Sequence, residues 1–438
     1  MCNSRSYLIA YVGAAMALTL GACSNDDSAN DPSAPSTHTR TAQHYPSLVS
    51  VGKPFVLTDA QQAGVTANNA FALDILGHIL DDAPTGSNTV FSPISLTIAL
   101  AFAADGAEGD TRSEIIQTLG LDDSEPDGVN KLCATIMQST LHADTAVRFN
   151  IANAFFLNSL HGFNMLPDYV HRLHGYYDAD IEAVDFRDKS SLGHINAWCE
   201  RQTDGMIPSV LSELKPEVVA YLLNATYMEA RWGSPFKEDL TEDAPFYAEG
   251  GQMLRSVKMM QQVNDFPYLA TDTYQAIRLN YTSSTSPFGM TVVLPREGHT
   301  VADVLNSLKV SDLDAVVEAP YTLTDLQLPR FTTDVRTELI DILQTMGIHE
   351  AFDSDNARFT RMVDAQLFIS QIFQKARIEV TENSTKAAAV TVIGLDVATA
   401  GPFEEPQVVT FHANRPFLYF ITERTTGTIY FMGSYYGN

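Results

Sequence analysis

The chain predicts an α+β fold, and three observations carry that prediction. Helical periodicity fills the first part of the folded chain. Strand-like runs fill the second. The two do not alternate as they would around a parallel sheet.

The elements follow in order. Phe71, Ile75 and Ile79 recur at four-residue spacing with Leu76 and Leu80 beside them, which is one face of a helix. Ser92-Pro93 reads as a helix start, with serine as cap and proline in the first turn of a helix over 94–104. Residues 148–157 and 219–228 read as strands, with a helix near 196–201 between them. Residues 289–294 form another strand, stopped by Pro295. Residues 326–331 alternate as a strand, and 337–346 read as an amphipathic helix with Leu339, Leu343 and Met346 inward and Gly347 as its stop. Residues 417–421 and 428–432 form a hairpin around Thr425-Thr426-Gly427.

Composition excludes several functions. The net charge of −26 offers no Lys/Arg cluster for nucleic acid. There is no phosphate loop, CxxC pair, HExxH or Gly-x-Ser-x-Gly, so nothing points to an enzyme. His171 and His174 sit three apart in a helix, but no nearby acid or thiol completes a metal set, and they read as surface histidines. Glu404-Glu405 reads as solvated charge. Cys133 and Cys199 could pair in an exported chain or stand as buried thiols, and the thiol reading is favoured because a large domain needs no staple.

The N-terminus reads as a sorting signal. Arg5 precedes an apolar run over 7–20, too short to span a bilayer. Leu20-Gly21-Ala22-Cys23 resembles the bacterial lipobox, which implies removal of residues 1–22 and a lipid on Cys23. Residues 23–61 are polar and proline-containing and read as a flexible tether. Ser24 rather than Asp resembles the pattern of outer-membrane lipoproteins. The expectation is a domain over 62–438 tethered to that membrane, on the periplasmic side or at the cell surface.

The stretch ENSTKAAAVTVIGLDVATAG, residues 382–401, is unusual. It is small, β-branched and apolar, yet it ends at Gly401-Pro402. Split by strand parity, Thr385, Ala387, Ala389, Thr391, Ile393, Leu395 and Val397 carry no charge. Lys386 and Asp396 fall on the opposite face. One face is fit for burial and the other for solvent.

Several motifs together resemble the serpin family. They are Asn88-Thr89-Val90-Phe91-Ser92-Pro93-Ile94-Ser95, Asn196-Ala197-Trp198, Thr203-Asp204-Gly205-Met206-Ile207 and Leu223-Asn224-Ala225-Thr226-Tyr227. Trp232-Gly233-Ser234-Pro235-Phe236, Leu328-Pro329-Arg330-Phe331, Ala413-Asn414-Arg415-Pro416-Phe417 and Gly427-Thr428-Ile429-Tyr430-Phe431-Met432-Gly433 follow in the family's order. The resemblance implies three β-sheets, about nine helices and an exposed reactive-centre loop over about 382–408. Glu382-Asn383-Ser384-Thr385-Lys386-Ala387-Ala388-Ala389 resembles the loop's hinge.

What the resemblance implies is a suicide inhibitor of serine or cysteine endopeptidases. The protease attacks the loop and the cut loop enters a sheet as a new strand. About 13 residues at roughly 3.3 Å carry the protease on the order of 40 Å. That mode of strand addition is the example that general treatments of loop switching use. The family's usual interval from Thr385 places the reactive bond at Ala398-Thr399 or within three residues of it. Ala398 suits an elastase-like pocket and Leu395 a chymotrypsin- or subtilisin-like one. No Arg or Lys lies over 388–409, which disfavours trypsin-like enzymes. The resemblance also places Ser92, Ser95, Asn224 and Gln374 in a polar cluster under the sheet, and Trp232 where the loop enters. It implies a monomer without a cofactor whose partner is the protease. Ser384 replaces the hinge glycine and Gln374 a histidine, and both departures favour the other reading, a non-inhibitory binding or structural serpin.

Overall fold

The computed structural model describes residue 48 and residues 53–383 and 407–438. Cys23, Ser384, Thr385, Ala387, Ala388, Ala389, Ala398 and Thr399 lie outside the described residues.

Helices α1 (Asp59–Asp82), α2 (Pro93–Gly106), α3 (Gly109–Thr118) and α4 (Gly128–Ala143) form the front of the chain, with β1 (Thr89–Phe91) between the first two. Thr58 and Gln61 close a reciprocal capping box on α1, and Phe71, Ile75 and Ile79 are its buried stripe. This helix opens ahead of the boundary expected at residue 62, and Phe55 is already buried, its N–H donating to Ser139 Oγ at 3.0 Å. Helix α2 is buried on nearly every side, and its few polar residues, Ser95, Thr97 and Asp105, are buried with hydrogen-bond partners.

Then come β2 (Arg148–Asn158), α5 (Pro167–Tyr177), β3 (Asp180–Val184), α6 (Lys189–Gln202) and β4 (Ala220–Glu229). His171 and His174 lie on α5. The back holds β5 (Glu242–Tyr247), β6 (Met253–Ala270), β7 (Tyr274–Asn280), β8 (Phe288–Pro295), α7 (Val301–Ser307) and α8 (Val310–Val317). It continues through β9 (Tyr321–Pro329), β10 (Phe331–Glu338), α9 (Ile340–Thr345), β11 (Phe373–Val380), β12 (Val409–His412), β13 (Phe417–Glu423) and β14 (Ile429–Tyr435).

Two boundaries differ from the sequence reading. The strand expected over 326–331 ends at Pro329, and Phe331 opens β10. The helix expected over 337–346 begins only at Ile340, because Thr337 and Glu338 pair with Gln374 and Phe373 of β11. A distant strand outweighs local helical periodicity there. Leu339 and Leu343 still point inward.

Three sheets organise the described residues. The first runs β1-β14-β13-β8-β7-β6, and the long β6 continues into the second, β5-β6-β9-β12. The third has two pieces, β3-β2-β4 and β10-β11. Among the described residues no ladder joins β4 to β11. Cys133 and Cys199 are separate buried thiols, and burial pushes them up to about 12 and about 11.

Candidate functional site: an open seam between two strands

The site follows from strand alternation. On β4, Tyr221, Leu223 and Ala225 pack beneath α6 with Ile195 and Trp198. The intervening Leu222, Asn224 and Thr226 turn the other way and stay half-buried. Among the described residues, strand β4 is paired only with β2, and β11 only with β10. Each therefore presents an unpaired backbone edge, a row of donors and acceptors that another strand satisfies best.

Two cavities mark the seam between those edges. One, ≈ 810 Å³, is lined by Thr226, Met228 and Trp232 on one side and Arg377, Glu379 and Thr381 on the other. The other, ≈ 120 Å³, lies at the opposite end and is lined by Leu100, Phe155, Leu222, Asn224, Ile372 and Gln374.

Beneath the small cavity, α2 carries two polar anchors. Gln374 Oε1 accepts from the Ser92 N–H at 2.7 Å, and Gln374 Nε2 donates to the Ser92 carbonyl at 2.9 Å. Ser95 Oγ donates to Asn224 Oδ1, and Asn224 Nδ2 donates to Asn153 Oδ1 at 2.6 Å. Asn153 in turn donates to the Tyr177 carbonyl at 3.1 Å. So α2 is tied to β11 through one anchor and to β4 and β2 through the other. Among the described residues no hydrogen bond runs directly from Gln374 to Asn224. Ser92 occupies the N-cap position of α2, but its hydroxyl makes no capping bond and is buried without a partner among the described residues. This corrects the expected side-chain cap: Gln374 takes the backbone polar groups of Ser92 instead.

The hinge end is built differently. Trp232 is buried, stacked on Tyr281 at 4.8 Å between ring centroids, and its indole N–H donates to the Thr381 carbonyl at 2.8 Å. Glu382 is buried. Its Oε1 accepts from Thr241 Oγ1 at 2.8 Å and lies 3.5 Å from Arg330 Nη1. Its carbonyl accepts from the Phe236 N–H at 3.0 Å. Asn383 donates to Glu238 at 3.0 Å. The chain thus leaves β11 fixed at Thr381 and Glu382, directly before the residues Ser384 and Thr385.

The sequence reading missed several members. Asn153, Thr241 and Arg330 are far in sequence from the groups they hold. It also missed a clasp over the seam. Arg336 Nη1 and Lys375 Nζ donate to the carbonyls of Val210 and Ser209, at 3.2 and 3.1 Å, in the segment linking α6 to β4. The Arg336 guanidinium also lies 3.4 Å over the Phe373 ring, a cation–π contact. Among the described residues no three His, Cys, Asp or Glu side chains converge to hold a metal.

Among the described residues the site is a half-open sheet with an anchored strand exit at one end. Comparison with known proteins gives it a family. The model of the family described as "Serpin (serine protease inhibitor)" matches residues 66–437, and the chain belongs to the serpin family. Members of that family are in general protease inhibitors rather than enzymes. An uncharacterized serpin-like protein of Thermococcus kodakarensis is 29% identical over 94% of this chain and 94% of its own. Leukocyte elastase inhibitor A of Mus musculus is 30% identical over 84% of this chain and 97% of its own. The solved native state of the thermophilic serpin tengpin superposes with a TM-score of 0.75 at 26% identity, covering 89% of this chain and 96% of tengpin.

Proposed function

We propose that the chain inhibits serine endopeptidases as a suicide substrate, with elastase-like enzymes first and subtilisin- or chymotrypsin-like enzymes next. One observation carries this reading: among the described residues the edges of β4 and β11 are unpaired and flank a seam that starts beside Glu382, which in sequence directly precedes the segment with an uncharged parity face. The protease serine Oγ attacks the carbonyl carbon of Ala398. The C–N bond to Thr399 breaks, the new amine takes the proton, and an ester joins Ala398 to the enzyme. The freed strand enters the seam with Thr385, Ala387 and Ala389 leading, each small and uncharged. Water would complete hydrolysis, but the protease has then been carried to the far end of the sheet.

The match to a leukocyte elastase inhibitor and the small side chain of Ala398 support the elastase preference. The lipobox-like Cys23 supports tethering to a bacterial outer membrane, where the inhibitor would shield the cell from proteases. A non-inhibitory binding role is the second reading, favoured by Ser384 at the bend and Gln374 in place of histidine.

Denaturing electrophoresis after mixing with pancreatic elastase separates them. A covalent complex larger than either protein is expected. Clean cleavage without a complex, across elastase, subtilisin and chymotrypsin, would leave only the second reading.

A further inference from the structure

The loop between β7 and β8 grips Trp232 through a strained residue, and a carboxylate at the end of α4 holds that residue. Thr282 has a backbone φ of 53°. A side chain branched at Cβ crowds its own backbone in that left-handed region, so the conformation persists only where neighbours enforce it.

The backbone around Thr282 closes on the tryptophan from both sides. The Thr282 N–H donates to the Arg231 carbonyl at 2.7 Å, and the Gly233 N–H donates to the Asn280 carbonyl at 2.8 Å. Tyr281 and Trp232 are thereby bridged backbone to backbone as well as stacked ring on ring. Gly233 permits this approach: a Cβ there would meet the Asn280 carbonyl and the Ser283 backbone at 3.2 Å.

Asp144 follows the last turn of α4 and turns its side chain onto the loop. Its Oδ2 accepts from Thr282 Oγ1 at 2.7 Å and from Ser286 Oγ at 3.0 Å. Its Oδ1 accepts from the Ala146 N–H at 2.9 Å. Burial raises this carboxyl, but the bonds from Thr282, Ala146 and Ser286 together hold it below the usual carboxylate range. A half-buried carboxylate is thus committed to keeping a strained threonine in place. The chain of contacts then runs from Thr282 through Tyr281 to Trp232, whose indole N–H holds the Thr381 carbonyl at the strand exit.

We propose that Asp144 is a positioning residue for that exit. It pins Thr282 in its left-handed conformation, which sets Tyr281 against Trp232 and fixes how firmly Thr381 is held before the loop is cut. Without the carboxylate, Thr282 relaxes toward an ordinary conformation, and the stack and the grip on Thr381 loosen together. The effect on insertion rests on the reading that the cut loop enters at this end; the hold on the uncut chain does not.

The test uses the full chain in a Trp198→Phe background, so that Trp232 alone emits. Hydrogen exchange at the amides of residues 233 and 282 and the emission of Trp232 are read in the uncut protein. Asp144→Ala is expected to speed that exchange about tenfold and to shift the emission. Thr282→Ala loses the hydroxyl but keeps Cβ, and should do the same. Thr282→Gly also loses the hydroxyl, but glycine takes a positive φ freely, so it should stay within about twofold of the parent. In the Thr282→Gly background Asp144→Ala should therefore add little, a non-additivity that a merely structural role would not produce. Asp144→Asn keeps polar atoms for Ala146, Thr282 and Ser286 and should restore the parent values. After cleavage by subtilisin, the emission of Trp232 should change faster in Thr282→Ala than in Thr282→Gly. If the cut loop does not insert, emission stays fixed after cleavage in every variant, and the comparison in the uncut protein still decides the proposal. Equal exchange in Thr282→Ala and Thr282→Gly, or parent-like exchange in Asp144→Ala, would overturn it.

Discussion

Gln374 and Ser92 form a closed pair across the seam floor: one side-chain amide both accepts from and donates to the backbone of the residue that starts α2. An amide does this at any physiological pH, because it does not titrate.

Replacing Gln374 by alanine leaves the Ser92 N–H buried and unpaired. The expected loss is roughly 1–3 kcal/mol of native stability, read from denaturant unfolding. Gln374→His tests the titration directly. A neutral imidazole can accept from the Ser92 N–H and a protonated one cannot. The folded state then holds this histidine below its usual value, near 6.5. Its contribution is present above that value and is lost as pH falls, so the variant should match the parent at pH 8 and melt lower at pH 5.

Arg172 on α5 bridges Asp105, 2.8 Å from its Nε, and Asp127, 2.6 Å from its Nη2. The hydrogen bond from Arg172 holds Asp127 below the usual carboxylate range, against a desolvation cost. Stability from Asp127 is therefore complete above its unfolded value and disappears as pH falls through the lower folded one. Asp127→Asn should shift the acid-unfolding midpoint relative to the parent. Arg172→Met leaves the buried Asp105 without its cation, with Asn130 Nδ2 still donating to it at 2.8 Å, and should cost about 3–5 kcal/mol.

Trp232 and Trp198 are the two tryptophans of the chain. Trp198 donates to Asp180 on β3, away from the hinge, whereas Trp232 holds the Thr381 carbonyl. In a Trp198→Phe background, loop cleavage should therefore change the emission of Trp232. Unchanged emission on cleavage would mean that the hinge end does not move.

Thr385 begins the inward parity set, so Thr385→Arg puts a charge on the face that enters the seam. Burying an unpaired charge is strongly unfavourable. With elastase this variant should be cleaved without trapping the enzyme, and the gel should show product instead of complex.

Much of this site was legible in the sequence, for physical reasons that differ by residue. Ser92-Pro93 announced α2 because proline at the first turn costs nothing there. The parity of Thr385 to Val397 is read from the sequence alone, since strands have a fixed period of two, and lies outside the described residues. The start of α9 was misread at Thr337, since its pairing with Gln374 is set by a strand nearly 40 positions away. Ser92 was expected to cap α2 by its hydroxyl, and only the fold reveals that Gln374 satisfies its backbone instead. Asn153, Thr241 and Arg336 were missed for the same reason: nothing local distinguishes them from surface polar residues, and their roles exist only when distant strands meet.

Hydrogen exchange at the backbone amides of β4 and β11, before and after loop cleavage, tests the strand-addition claim most directly. The expected result is strong new protection along residues 220–229 and 373–380, with a marked rise in melting temperature, because an inserted strand pairs both edges. Exchange along both strands that stays as fast after cleavage as before, with an unchanged melting temperature, would contradict it.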